Sequence, residues 1–161
     1  MKSFTIRPAQ PQDAALLLSL IKELAVYEKL ESELAATSEQ LREALFNSTP
    51  TAYAVIAEEN GTPIGFALYF YNFSTFIGKK GLYLEDLFLK PAYRGKGFGK
   101  ALFLHLAAIA KNENCGRMEW SVLDWNQPAI DFYKSLGATA MNEWTVYRLN
   151  KGGLQKLGEP N

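Results

Sequence analysis

Lys90-Pro91-Ala92-Tyr93-Arg94-Gly95-Lys96-Gly97-Phe98-Gly99-Lys100 is the stretch on which the reading of this chain turns. An apolar run, Leu87-Phe88-Leu89, leads into it, and an apolar helical pattern over residues 101–110 leads out. Three glycines in five positions let backbone N–H groups approach a ligand, and the helix that follows adds the positive end of its dipole. Residues 87–112 contain no acidic side chain and five basic ones, Lys90, Arg94, Lys96, Lys100 and Lys111. The segment therefore reads as a phosphate cradle, against the plainer reading of a glycine-rich surface turn.

Two familiar phosphate motifs fail here. A P-loop needs Ser or Thr after Gly-Lys, but Ala101 follows Gly99-Lys100, and its first glycine would fall on Arg94. The dinucleotide fingerprint G-x-G-x-x-G runs from Gly95 and Gly97 into Lys100. The pattern that fits is R-x-x-G-x-G, on Arg94, Gly97 and Gly99.

Outward from the loop, the chain alternates strand and helix signals. Residues 4–7 read as a strand closed by Pro8. A helix follows to about Glu28, with Asp13 as N-cap or Pro11 at its first position and Leu16, Leu17, Leu20, Ile21, Leu24 and Tyr27 on one face. Ser38 opens a shorter helix. Strands at residues 52–57 and 64–71 flank Glu59-Asn60-Gly61, a hairpin signal. Residues 72–81 read as a loop, and residues 82–89 as a central strand apolar on both faces. Helix 99–112, strand 117–123, helix 128–136 with Gly137 at its C-terminal cap, and a last strand at 145–149 complete the order, with a polar, frayed tail from Gly152. The expectation is one α/β (α+β) domain over residues 1–161: a mixed, mostly antiparallel sheet flanked by helices.

Composition narrows the function classes. The 161 residues carry 17 basic and 17 acidic side chains, so there is no global basic field for nucleic acid. No apolar run approaches the length of a membrane span, and the N-terminus does not read as a signal peptide. One cysteine, Cys115, precludes an internal disulfide and suits a reducing cytoplasm. A lone histidine, His105, and no Cys/His cluster give no metal site. Pairing of Cys115 with His105 as a nucleophile is disfavoured, because nothing beside either residue activates it.

The loop and its flanks resemble the acetyl-CoA pyrophosphate loop of the GNAT superfamily of N-acetyltransferases. The resemblance extends to Asn126-Gln127-Pro128-Ala129-Ile130-Asp131-Phe132-Tyr133, closed by Leu136-Gly137-Ala138. Within the superfamily the chain is most similar to the diamine acetyltransferases, the spermidine/spermine and thialysine enzymes. The carrying phrases are Leu20-Ile21-Lys22-Glu23-Leu24-Ala25 with Tyr27-Glu28, Tyr83-Leu84-Glu85-Asp86-Leu87-Phe88, Tyr93-Arg94-Gly95 and Trp125-Asn126-Gln127-Pro128. It departs from them at Met141-Asn142-Glu143-Trp144-Thr145, which does not reproduce their acidic, amine-holding segment.

The resemblance implies acetyl-CoA as co-substrate, a small amine as acceptor and a homodimer. It implies cofactor contacts at Leu87, Phe88, Leu89, Arg94, Gly95, Lys96, Gly97, Phe98, Gly99, Lys100, Asn126 and Tyr133. The backbone amides of Leu87 and Leu89 would hold the pantetheine arm as an added strand would.

Direct transfer to an amine needs a base for the ammonium, donors for the carbonyl oxygen and a proton for the thiolate. Glu85 is the candidate base, acting directly or through water; the plainer reading is a solvent-facing strand glutamate. Asp86 faces the other side if the strand is regular. Tyr133 is the candidate acid, or else a core tyrosine. Asn126 contacts the cofactor, caps the following helix, or both. Tyr27, Glu28, Glu31 and Glu33 form an aromatic and acidic cluster that, beside Glu85 and Asp86, would suit a cationic amine, or else a solvated helix end. Three alternatives stand beside this reading: an amino-acid acceptor, a protein or peptide amine, and a non-catalytic acetyl-CoA-binding module.

Overall fold

The computed structural model describes residues 3–160. The chain divides into two compact units, Met1–Leu123 and Asp124–Asn161.

The first unit holds a five-stranded sheet in the order β1-β2-β3-β4-β5. Its strands are β1 (Phe4–Pro8), β2 (Tyr53–Glu59), β3 (Thr62–Ser74), β4 (Lys79–Leu89) and β5 (Met118–Trp120). The first four pair antiparallel, and β5 joins β4 in parallel after the crossover helix α3 (Phe98–Asn112). The mixed sheet expected from the sequence is present. Helices α1 (Ala14–Glu28) and α2 (Ser38–Phe46) lie between β1 and β2 in sequence.

Leu17, Leu20 and Leu24 of α1 and Leu45 of α2 pack on Ile56, Phe66 and Phe88, which share one face of the sheet. The alternation of strand side chains leaves Val55, Ala57, Ala67 and Leu84 for the other face. Leu102, Phe103, Leu106 and Ala110 form the buried stripe of α3. The α3 side is fixed by Phe98, stacked on Phe4 at 4.5 Å between ring centroids, and by the Leu89 side chain beneath Gly99.

Residues 72–81 do not form the expected loop. β3 runs on to Ser74, and β4 begins at Lys79. A four-residue turn closes the pair: Ser74 accepts from Gly78 N at 2.8 Å through its carbonyl and from Ile77 N through its hydroxyl, and Gly78 takes a φ of 71°. Asn60 and Gly61, with φ of 52° and 76°, make the β2–β3 turn as expected.

Asp13 occupies the N-cap position of α1, but its side chain does not cap the helix. It accepts from Gln10 N at 2.8 Å and from both terminal nitrogens of Arg7, at 2.7 and 3.1 Å. Arg7 also donates through Nε to Glu58 at 2.9 Å. Strand β1, the helix entry and β2 are thus tied through one guanidinium.

In the second unit, α4 (Gln127–Ser135) is capped by Asn126, and α5 (Lys151–Leu157) by Asn150, whose Oδ1 accepts from Gly153 N at 2.9 Å. The tail expected to fray from Gly152 is therefore helical. The strand expected at residues 145–149 does not form: no strand among the described residues pairs with it, and Val146 and Tyr147 lie exposed.

The Arg7 hydrogen bonds hold the Asp13 carboxyl below its ordinary pKa. That contribution is present above the unfolded carboxylate pKa and is lost as pH falls through the folded one. Arg7→Met strands a carboxylate whose side chain is 10% exposed. We expect a loss of about 2–4 kcal/mol in denaturant unfolding at pH 7, shrinking toward pH 3.

Candidate active site

Strand β4 is paired on both edges only in its first half. β5 matches Leu82, Tyr83 and Leu84 and then ends. Beyond Leu84, no strand among the described residues pairs with β4 on that side. The direction of the remaining backbone groups follows from the ladder. Lys90 N donates to Ile64 O at 2.9 Å, so Lys90, Phe88 and Asp86 turn their polar groups to β3. Leu87 and Leu89 then turn theirs outward, to the open edge. The Leu89 carbonyl confirms this phase, since it is taken on the outer side by Arg94 Nε at 2.9 Å. Phe88 has its ring in the core and its backbone toward β3; it is part of the floor.

The point where β5 ends is also irregular on the other edge. Tyr69 pairs with Leu84 and Leu68 with Asp86, which leaves Glu85 without a partner in β3. This is a β-bulge, and it removes the premise of regular alternation that set Glu85 and Asp86 on opposite faces. Asp86, opposite Leu68, is half-buried; Glu85 is exposed. Burial, then the charges of Glu85 and Glu28, push the Asp86 carboxyl up to about 7. Glu28, at the end of α1, is raised by its own burial and by Glu85. Three of the candidate carboxyls are therefore electrostatically coupled. Glu31 is elsewhere, on a groove of about 330 Å³ lined also by Lys22, Ala25, Val26 and Leu34.

After β4, the 3₁₀ turn Pro91–Tyr93 leads into the glycines. Gly95 and Gly97 have φ of 75° and 84°, and a Cβ at either would touch nothing. Backbone conformation, not space, demands glycine there. Ala101 N is the first to bond back into the helix, to Gly97 O. The amides of Phe98, Gly99 and Lys100 are thus the free donors of the first turn of α3, with no side-chain cap and no acidic residue beside them. Lys96 stands over the Tyr93 ring of its own loop at 5.2 Å. Positive-φ glycines followed by the free amides of a helix N-terminus are a geometry able to hold an anion.

In the second unit, buried Asn126 accepts from Ala129 N at 3.4 Å, so the capping role is realised. Tyr133 is partly buried with its ring 5.5 Å from Phe132. Cys115 has its thiol raised by burial, opposite to what an activated nucleophile needs. Among the described residues no group of three His, Cys, Asp or Glu is placed to hold a metal, and no helix is long and apolar enough to cross a membrane. Sequence reading did not foresee the raised carboxyl of Asp86, because neither the bulge nor the approach of Glu28 is visible in a pattern of residues.

Residues 18–138 match the family model described as Acetyltransferase (GNAT) family. The chain is 36% identical to a thialysine N-epsilon-acetyltransferase of Bos taurus, over 94% of this chain and 95% of the relative. It is 32% identical to an L-ornithine N5-acetyltransferase of Arabidopsis thaliana, over 97% and 88%. Among solved structures it resembles an integron cassette protein from the mobile metagenome of V. cholerae, with TM-score 0.81 and 32% identity over 98% of this chain and 99% of the other.

A carboxyl whose pKa is raised by folding makes the fold less stable as pH climbs from its unfolded value to its folded one. Asp86→Asn removes that effect. We expect the variant to gain up to about 4 kcal/mol over the wild type at pH 8, and the two to converge near pH 4, in urea titrations.

Proposed function

We propose that this chain, which belongs to the GNAT acetyltransferase family, acetylates a small cationic amine, of the diamine, polyamine or thialysine-like class, by direct attack in a ternary complex. It is an acetyl-CoA-dependent N-acetyltransferase. The observation that carries the acceptor class is the coupling of Glu28, Glu85 and Asp86 where β4 loses its partner. Clustered carboxyls attract an ammonium substrate.

In this reading the free amides of Phe98, Gly99 and Lys100 and the nest at Gly95 and Gly97 take the pyrophosphate. Lys96 and Lys100 add charge. The outward N–H of Leu87 and the polar groups of Leu87 and Leu89 align the pantetheine arm along the open edge. An alkyl ammonium has a pKa of about 10.4 and must lose a proton before it attacks. Glu85, exposed at the bulge, takes that proton, directly or through water. Asp86, ionising near neutrality, completes the negative site as pH rises. Attack on the thioester carbon forms the C–N bond, and collapse expels the CoA thiolate, to which Tyr133 supplies a proton. Support for Tyr133 is its motif, from Asn126 to Ala138.

The same reading makes the chain one functional domain, cytoplasmic and homodimeric. Met141, Trp144, Val146, Tyr147 and Leu149, exposed apolar or aromatic residues within nine positions, support association of two copies. Sedimentation at micromolar concentration is expected to give a dimer; a monomer removes that part.

The direct test follows CoA thiol release with acetyl-CoA and a panel of spermidine, diaminopropane, thialysine, lysine, ornithine and a short peptide. We expect turnover with one or more diamines or thialysine-like amines, and little with the peptide. Glu85→Gln should lower kcat by about 10²-fold or more, and Tyr133→Phe should lower kcat with acetyl-CoA affinity unchanged. For the wild type, kcat/KM should rise through about pH 7, and Asp86→Asn should lose that limb. Preference for the peptide over every small amine overturns the acceptor assignment.

A further inference from the structure

Arg94 leads the R-x-x-G-x-G pattern, and its charge invites a direct role against phosphate. The geometry shows a different use. Its Nε donates to the Leu89 carbonyl at 2.9 Å. Its guanidinium carbon lies 4.6 Å from the centroid of the Tyr27 ring and 5.5 Å from that of Phe88. Phe88 is buried, and Tyr27 packs against the same apolar cluster. The end of α1 is itself fixed: Lys29 adopts the left-handed conformation at φ 60°, and Lys29 N and Leu30 N bond back to Val26 O and Ala25 O at 3.1 and 2.9 Å. Tyr27 is therefore a rigid aromatic surface on which the loop's first cation rests.

We infer that Tyr27 is a positioning residue for acetyl-CoA: through Arg94 it holds the glycine loop and the Leu89 edge in the geometry that receives the cofactor. This rests on the cofactor reading of the loop given above. It reassigns a residue first expected on the acceptor side. Arg94 ties the loop to β4 by a hydrogen bond and to α1 by cation–π contact, so the loop's entry depends on a helix more than sixty residues earlier in the chain. The next residue, Glu28, belongs to the carboxyl group of the acceptor side. The last turn of α1 therefore serves both substrates through successive side chains.

The test is calorimetric titration of acetyl-CoA into the full chain with no amine present, paired with steady-state kinetics. Tyr27→Leu removes the ring and should weaken acetyl-CoA binding about 3- to 10-fold, while Tyr27→Phe keeps the ring and should stay within about 2-fold. In steady-state kinetics the effect of Tyr27→Leu should appear as a raised KM for acetyl-CoA and not as a raised KM for the amine. The double variant Tyr27→Leu/Arg94→Ala should bind no more than about 2-fold more weakly than Arg94→Ala alone, since both remove one contact.

Arg94→Lys separates positioning from charge without touching the core. A lysine keeps the charge but not the fork that bonds Leu89 while lying flat on the ring. It should lose nearly as much affinity as Arg94→Ala. Wild-type affinity in Arg94→Lys, or in Tyr27→Leu with a raised amine KM, overturns the inference and leaves the acetyltransfer reading intact. Failure of the wild type to bind acetyl-CoA overturns both.

Discussion

The loss of a strand partner along the outer edge of β4 is the constraint from which the site follows. A parallel neighbour covers Leu82 to Leu84 and then stops. Backbone groups in a sheet interior demand partners, so an edge left open beside a buried strand is a place built for a ligand to complete. The bulge at Glu85 falls at the same position on the opposite edge. It bends and twists the strand where the two neighbours part. A single strand thus carries, within five residues, the irregular carboxyl pair Glu85-Asp86 and the outward backbone of Leu87 and Leu89. The glycine loop and the N-terminus of α3 begin immediately beyond.

Charge is sorted along the same line. Residues 87–112 carry basic side chains and no acidic one, and the free amides of α3 point the same way electrostatically. Before that stretch, burial and then the charge of Glu85 raise Glu28, and burial followed by the charges of Glu85 and Glu28 raises Asp86. A neutral chain has separated a basic end from an acidic end across a few residues of β4 and its loop. That separation suits a reaction between a pyrophosphate-bearing donor and a cationic acceptor. Arg94 bridges the two ends mechanically, because its contacts run to Tyr27 on α1 and to Leu89 on β4.

Much of this was legible in the sequence, for identifiable reasons. Glycines needed at positive φ, the lack of an acidic residue near the α3 N-terminus and the apolar period of α1 and α3 are local properties, and each appears where it was read. The long β3–β4 hairpin was not legible, because Phe73 is exposed and Ser74 buried, the reverse of what their polarity suggests, and the turn is closed by Ser74 itself. The strand expected at residues 145–149 has β-branched and aromatic residues but no partner among the described residues, and composition alone cannot supply one. Asp13 reads as a helix cap, yet Arg7 arrives from β1 and claims its carboxylate. The surroundings of Asp86 and Arg94 include residues some sixty positions away, Glu28 and Tyr27, so no local pattern could disclose them.

The central claim is that acetyl-CoA completes the open edge of β4 and the first turn of α3. Amide hydrogen exchange, followed residue by residue with and without acetyl-CoA, tests it most directly. The account predicts new protection at the outward amides of Leu87 and Leu89 and at Phe98, Gly99 and Lys100, with the β1–β2 ladder unchanged. Protection confined to the groove beside Ala25, Val26 and Leu34, with those five amides unaffected, would contradict it.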